Sequence, residues 1–544
     1  GSRDGGILPP VSSLDRPAEV AGASASAGAP APPAAPPRRA WIGPLLLVVL
    51  AWVLLFSPQL LQGQRVVLGE AAAKRPFAEF SRERWRETRQ RTTWNPCVFL
   101  GVPTSASLAD RRPQYLPDRA LDLAERLHEP HRSPQLWLLL AVLAGTLAVV
   151  ALARLSWRAD PWSAAAAGLA WLPAVPLIGA LAQGQDARVL AGALLPVVAL
   201  GTWGVIAAEG ARTRLAASLA LALALGLQGL HGHPQILGDS VELGLLLAVQ
   251  QAWLRRRWTR LVPWTVALAL GAAIGAAGWW PALLHGARGA VVAGEPGLAV
   301  RDLPALVWPG TAGGVAVYLG VVALALALIG WRRRRADATA LFWWAVLIAA
   351  LLLALAGPLL SAPGGAAFRA PTAVLLWACL ALALLAARTL ASGGETAPTR
   401  PSRLALGGAA LIGLLGLAIA FPLAPLARAL DGATSPRAMG LDLLLRAAFV
   451  VATLILLAGP HAGRRWTRVG LAVLLALDLA TAGVPTLRHA SGPPAALTPP
   501  APPALARLAA GTPQLRACSG RTHAVAAPGL ATRGYDESRT NYWV

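Results

Sequence analysis

The chain has 544 residues, of which 56% are hydrophobic and 14% are charged, and its formal net charge is +22. An ordinary soluble domain has roughly a quarter of its residues charged, so this composition excludes that class. Nucleic-acid binders gather their basic residues on a solvated face, whereas here the basic residues lie between long apolar runs, so no nucleic-acid partner is expected. The composition predicts an all-α polytopic protein whose first partner is the lipid bilayer.

The N-terminal segment 1–37 is rich in Pro, Ala, Ser and Gly and is predicted to be disordered. A polytopic membrane domain is predicted over 38–486. A run of about 20 apolar residues crosses a hydrocarbon core of about 30 Å. Thirteen runs have this character: 41–61, 135–153, 161–182, 189–208, 215–231, 236–254, 262–284, 313–331, 340–360, 371–387, 404–427, 440–459 and 469–486.

The charges between these runs predict the orientation. If the N-terminus is cytoplasmic, every loop predicted on the inside carries arginine, while the short outer loops are poorer in it. This predicts thirteen transmembrane helices in a bacterial cytoplasmic (inner) membrane, with the N-terminus inside and the C-terminus outside. Three polar segments then lie outside, namely a long first loop, 62–134, a second loop, 285–310, and the tail 487–544. We expect the tail to be the start of a truncated soluble domain, and the chemistry to lie on this outer face.

Two carboxylates in the first outer loop are candidate catalytic residues. Glu70 directly follows the first run, and Asp110 lies further along the loop. A carboxylate at an apolar boundary suits a general base or a metal ligand. The alternative is that both are solvated loop acids paired with nearby arginines.

A dense group of turn-forming residues lies between these acids. Trp94, Asn95 and Pro96 are followed within a few positions by Gly101 and Pro103. This composition predicts a tight non-helical turn with an aromatic anchor, and turn formation alone explains it.

Two further outer sites carry polar side chains at the ends of spans. His233 and Gln235, in the string Gly-His-Pro-Gln, can ligate a cation or bind a phosphate, although an ordinary loop also explains them. Arg369 opens the tenth span and can clamp a phosphate through two parallel hydrogen bonds. Snorkelling of its side chain to the interface is the alternative.

Charges inside the spans are costly in lipid, so Glu242, Asp442, Arg446 and Asp478 are predicted to face the bundle interior. Asp442 and Arg446 are one helical turn apart, which favours a structural ion pair over a proton relay.

These strings together resemble the YfhO-type bacterial membrane proteins, which are related to the C-type (GT-C) glycosyltransferases. The matching positions are Gly69–Glu70, the turn Trp94–Pro103, the stretch Ala109–Pro117, the string Gly232–Gln235 and the turn Arg533–Asp536, with weaker matches at Tyr318–Gly320, Phe368–Pro371 and Leu477–Leu479. Glu70 stands where the family has Asp, and Cys97 replaces an aromatic residue.

The resemblance implies a GT-C-like fold and transfer of a sugar from a polyprenyl-phosphate donor to a cell-envelope glycan or protein acceptor. Glu70 and Asp110 would be catalytic. The substrate-binding residues would be Lys74, Arg75, Trp94, Asn95, His233, Gln235 and Arg369. Asp110 and His233 would also be the ligands of a divalent cation, Mg²⁺ or Mn²⁺, and no other cofactor is expected.

Two other function classes stay open. A transporter or flippase of lipid-linked precursors predicts ionisable residues at mid-membrane and similar halves of the chain. A non-catalytic scaffold with the glycosyltransferase fold is suggested by Glu70 in place of Asp. Convergence of Glu70, Asp110, His233 and Arg369 on one outer-face cavity would favour the enzyme.

Overall fold

The structure is a computed structural model. The residues that it describes are 37–66, 94–95, 102–103, 136–230, 233–286, 298, 300–309, 317–333, 337–360, 371–392, 436–458 and 464–492. The segment predicted to be disordered lies outside them, except for Pro37. The run 404–427 and the chain beyond 492 lie outside them as well.

The described residues are almost all helical. The α-helices are α1 (Ile42–Leu55), α2 (Ser57–Leu61), α3 (Leu136–Trp157), α4 (Pro161–Trp171), α5 (Val175–Ala182), α6 (Asp186–Ala207), α7 (Ala211–Leu230), α8 (Pro234–Arg255), α9 (Leu261–Gly286), α10 (Val321–Arg333), α11 (Ala338–Leu360), α12 (Leu375–Ser392), α13 (Pro436–Ala458) and α14 (Arg465–Ala490). Short 3-10 helices are η1 (Arg38–Trp41), η2 (Trp258–Arg260), η3 (Val300–Leu306) and η4 (Pro371–Val374), and two-residue strands are β1 (Arg65–Val66), β2 (Trp94–Asn95), β3 (Val102–Pro103) and β4 (Ser491–Gly492).

Most of the predicted spans coincide with helices where the structure describes them. Within the described residues, nine stretches are long and apolar enough to cross a membrane, and the apolar helices at Arg39–Leu55 and Val321–Trp331 are shorter. Helix α8 coincides with the sixth predicted span, but because of its polar residues it is not one of the nine apolar stretches. The protein is therefore a multi-pass helical membrane protein, while the total of thirteen and the orientation stay predictions.

The centre of the bundle consists of the helices that are apolar on every side. The span formed by α4 and α5 is 100% buried, and α12 and α6 follow at 89% and 83%. A helix that is hydrophobic all round is expected to be surrounded by other helices. The span from Trp258 to Ala276, which includes most of α9, is only 22% buried and lies at the periphery.

Two predicted spans differ from a single continuous helix. The third is broken at Leu172–Ala174, which includes Pro173, because proline cannot continue the hydrogen-bond ladder of a helix. The eighth was predicted from residue 313, but residues 317–320 are not helical and α10 begins only at Val321. With 13 residues, α10 rises about 20 Å, so its start lies inside the bundle.

Small residues let helices α7 and α9 approach each other closely. Helices α7 and α9 make the densest packing contact among the described elements. A Cβ built on Gly275 of α9 would lie 3.0 Å from the Cα of Gly229 of α7. Glycine is therefore needed at this crossing, as is usual where membrane helices meet backbone to backbone.

Ion pairs join loops that were predicted on the same side. Arg468 pairs with Asp160 at 2.9 Å, and Arg388 pairs with Asp337 at 2.9 Å. We call this end of the bundle, with its arginine-containing turns, the basic face. At the other end, here called the opposite face, β1 pairs antiparallel with β4 and ties the start of the first loop to the start of the tail.

Candidate functional site

His233 to Gln235, from the string Gly-His-Pro-Gln, form the start of helix α8 on the opposite face. Pro234 is the first helical residue, where its fixed φ suits a helix start. The Nδ1 atom of His233 accepts a hydrogen bond from the backbone N–H of Ile236 at 3.3 Å and caps the helix. Because the cap occupies Nδ1, only Nε2 of this half-buried side chain can contact a substrate or a cation.

A buried amide holds this corner together just below the histidine. Nε2 of Gln228, near the end of α7, donates to the carbonyl of Ala191 on α6 at 2.7 Å and to Oγ of Ser240 on α8 at 2.9 Å. Three helices are thereby joined by one side chain that is fully buried. This network fixes the position of the α8 start relative to α6 and α7.

The carboxylates on α8 are not arranged as predicted. Glu242 was predicted to face the bundle interior, but the structure exposes it. The buried carboxylate is Asp239, three residues earlier, with 5% of its surface exposed. Its Oδ2 atom has no hydrogen-bond partner among the described residues. The prediction for Glu242 was wrong because hydropathy marks a span but does not tell which side of the helix its neighbours cover.

The start of the tenth predicted span packs against helix α8. The 3-10 helix η4, which begins at Pro371, contacts α8 and also α11 and α12. Arg369 lies two residues before it and outside the described residues. The structure thus brings the element that follows Arg369 to the helix that begins beside His233.

The turn predicted in the first outer loop is confirmed as an antiparallel pair of short strands. Trp94 is opposite Pro103 and Asn95 is opposite Val102 in the register. The residues between the two strands lie outside the described part of the chain.

A second buried polar cluster lies deep inside the bundle. Asp478 of α14 accepts hydrogen bonds from the hydroxyl of Tyr318 at Oδ1 and from the backbone N–H of Val322 at Oδ2, the latter at 3.0 Å. The hydroxyl of Tyr318 also accepts from the N–H of Val321 at 3.2 Å. The first N–H groups of α10, which have no partner within the helix, are thereby satisfied in an apolar setting.

One arginine balances the acids of this cluster. Nη1 of Arg446 donates to Oδ1 of Asp478 at 2.9 Å, and Nη2 donates to Oδ1 of Asp442 at 2.8 Å. The predicted ion pair of Asp442 and Arg446 is confirmed, and so is the inward position of Arg446 and Asp478, which are 1% and 0% exposed. That Asp478 joins the pair was not predicted, and the weak motif matches at Tyr318 and Asp478 are in contact.

Most predicted site residues cannot be compared with one another in space. Glu70, Lys74, Arg75, Asp110 and Arg369 lie outside the described residues. Trp94 and Asn95 are described as strand backbone only, and His233 and Gln235 stand together at the α8 start. The described residues contain no group of three or more His, Cys, Asp or Glu side chains that could hold a metal ion, so the cation predicted at Asp110 and His233 stays a prediction.

No protein-family profile matches the chain, and no curated protein matches it. The fold is similar to the crystal structure of ArnT from Cupriavidus metallidurans bound to undecaprenyl phosphate, at 15% identity and a TM-score of 0.47, over 84% of this chain and 78% of that chain. The apo state of the same ArnT gives 16% identity and a TM-score of 0.47, over 83% and 77%. At such identities, the substrate of this chain has to be argued from its own residues.

Proposed function

We propose that this protein is a membrane glycosyltransferase that transfers a sugar from a polyprenyl-phosphate donor to a cell-envelope acceptor. The observation that carries the proposal is the contact between η4 and α8 on the opposite face. It joins two of the segments on which the resemblance to YfhO-type proteins rests: Phe368–Pro371, whose last residue begins η4, and Gly232–Gln235, whose Pro234 begins α8. Two segments that are far apart in sequence are expected to be in contact if they form one site.

The donor would bind through its phosphate at the membrane boundary, with the polyprenyl chain in lipid. Arg369 is the proposed clamp, since a guanidinium offers two parallel hydrogen bonds to a phosphate. Lys74 and Arg75 would add positive charge from the first outer loop. His233 and Gln235 would contact the sugar or the acceptor from the α8 start, where the helix cap holds the imidazole in one orientation.

Glu70 is the proposed general base. Its carboxylate takes the proton of the acceptor hydroxyl while the acceptor oxygen attacks the anomeric carbon. The bond from that carbon to the phosphate oxygen breaks, and the polyprenyl phosphate leaves with the electron pair. A phosphate leaving group needs little protonation, so one carboxylate suffices for this step. Asp110 would orient the acceptor.

The test is sugar transfer by the purified full chain in lipid nanodiscs, with a panel of radiolabelled sugars on undecaprenyl phosphate and isolated cell envelope as acceptor. Glu70→Gln is expected to lower the transfer rate at least about 100-fold, the usual contribution of a general base. Glu70→Asp should keep most of the activity, because it restores the residue of the related proteins. Glu79→Gln, in the same loop, is the matched control and should leave the rate unchanged.

The outcome separates the three function classes. Full activity in Glu70→Gln would remove Glu70 from the proposed role. Movement of a lipid-linked sugar across the bilayer without covalent transfer would instead identify a flippase. Neither transfer nor movement, across the whole donor panel, would favour a non-catalytic scaffold.

A further inference from the structure

The turn between α8 and α9, on the basic face, concentrates positive charge in six residues. Arg255, Arg256, Arg257 and Arg260 are its basic members. Arg256 has a φ of 53°, in the left-handed region, and its N–H bonds to the carbonyls of Ala252 and Trp253. This closes α8 and reverses the chain.

The next step of the turn places two arginines at its two ends. The N–H of Arg260 donates to the carbonyl of Arg257 at 3.0 Å, which forms one 3-10 turn over η2. Both arginines are half-buried.

Two guanidinium nitrogens of the turn lack an acceptor among the described residues. Arg257 pairs with Glu209 through Nη2 at 3.6 Å, and that glutamate is 86% exposed. In the described part of the chain, Nη1 of Arg257 and Nη1 of Arg260 are buried and have no hydrogen-bond partner. Partial burial and the nearby Arg257 also lower the pKa of Arg255. Hydrogen-bond donors that lack acceptors, in a turn with several positive charges, are suited to bind an anion.

The surroundings of the turn are those of a membrane boundary. Trp253 precedes the turn and Trp258 lies within it, with 66% and 52% of their surface exposed, and tryptophan favours the headgroup level of a bilayer. Exposed aliphatic side chains continue away from the turn at helical spacing along the packed pair α7 and α9. They are Leu215, Leu219 and Leu223 on α7, and Val262, Val266 and Leu270 on α9.

We propose that the turn Arg255–Arg260 binds the phosphate of an anionic phospholipid in the adjoining leaflet. The guanidinium groups of Arg257 and Arg260 donate to the phosphate oxygens, and the acyl chains lie along the exposed aliphatic side chains of α7 and α9. The site is independent of the proposed transferase site, since it lies on the basic face and shares no residue with it.

Native mass spectrometry of the purified full chain, titrated with phosphatidylglycerol or phosphatidylcholine, tests this site. The wild type should prefer phosphatidylglycerol. The double variant Arg257→Gln/Arg260→Gln should bind it about tenfold more weakly, because it loses two charge-assisted contacts. The matched control, Arg212→Gln/Arg464→Gln, removes the same charge from exposed positions on the basic face and should keep the wild-type affinity.

Equal losses of affinity in the two double variants would show general attraction to a positive surface and would overturn the site. An unchanged affinity in Arg257→Gln/Arg260→Gln would overturn it too. If that variant does not fold, Arg257→Lys/Arg260→Lys carries the test, with an expected loss of about threefold because lysine lacks the planar fork. Soluble glycerol 3-phosphate should compete only weakly. Competition at the concentration of the lipid would exclude a contribution from the acyl chains and overturn the lipid as the ligand.

Discussion

The hydroxyl of Tyr318 donates a hydrogen bond to Oδ1 of Asp478, a carboxylate 160 positions further along the chain, and Arg446 donates to the same oxygen. This contact explains how a helix can begin inside an apolar bundle. The first N–H groups of α10 face Asp478 and Tyr318 instead of water, and Arg446 offsets the negative charge that this cap requires. The cluster stabilises the start of α10 inside the bundle and is not part of the proposed site.

Asp478→Asn is expected to destabilise the protein strongly. It removes the charge that faces Arg446 in a buried position, and breaking one partner of a buried ion pair costs about 3–5 kcal/mol. Asp442→Asn should have a smaller effect, since that side chain is 25% exposed and water can replace part of its interaction. Thermal unfolding of the purified variants in one detergent compares them, and a loss at Asp442 as large as that at Asp478 would contradict the asymmetry.

Much of the bundle could be predicted from the sequence, because span length and hydropathy are properties of a local segment. The break at Pro173 is local too, since proline itself cannot continue a helix. The late start of α10 could not be predicted in this way. The run 313–331 is apolar throughout. The carboxylate of Asp478 on α14 caps the helix where it starts, at Val321, and only the packing of the bundle brings that carboxylate near.

The site was harder to predict for a related reason. The cap at His233 is local, and the order of His, Pro and a helix start indicates it. Which carboxylate of α8 is buried depends on the helices around it, so Glu242 was predicted in place of Asp239. Gln228 was missed because a single glutamine in an apolar run carries no periodic signal, although its amide joins α6, α7 and α8.

Gly320→Ala is expected to destabilise the start of α10 by at least about 1 kcal/mol. Gly320 has a φ of 91°, and a Cβ built there would lie 3.0 Å from Cδ2 of Leu479 and 3.3 Å from Oδ2 of Asp478. Gly238→Ala in α8 is the matched control, since nothing lies within 4 Å of its Cβ position and alanine favours a helix interior. In thermal unfolding, the first variant should fall below the wild type and the second should equal or exceed it. The reverse order would show that the turn before α10 tolerates a side chain.

His233→Asn separates the structural role of the histidine from its proposed contact with substrate. Asparagine is among the best residues at a helix N-cap, so its side chain can still accept the N–H of Ile236. The variant should keep the thermal stability of the wild type, whereas His233→Ala should lose about 1 kcal/mol with the cap. Both should transfer sugar more slowly if the imidazole contacts substrate through Nε2, and the loss should show mainly in kcat/KM. Wild-type kinetics in His233→Asn, together with a destabilised His233→Ala, would reduce His233 to a helix cap and remove it from the proposed site.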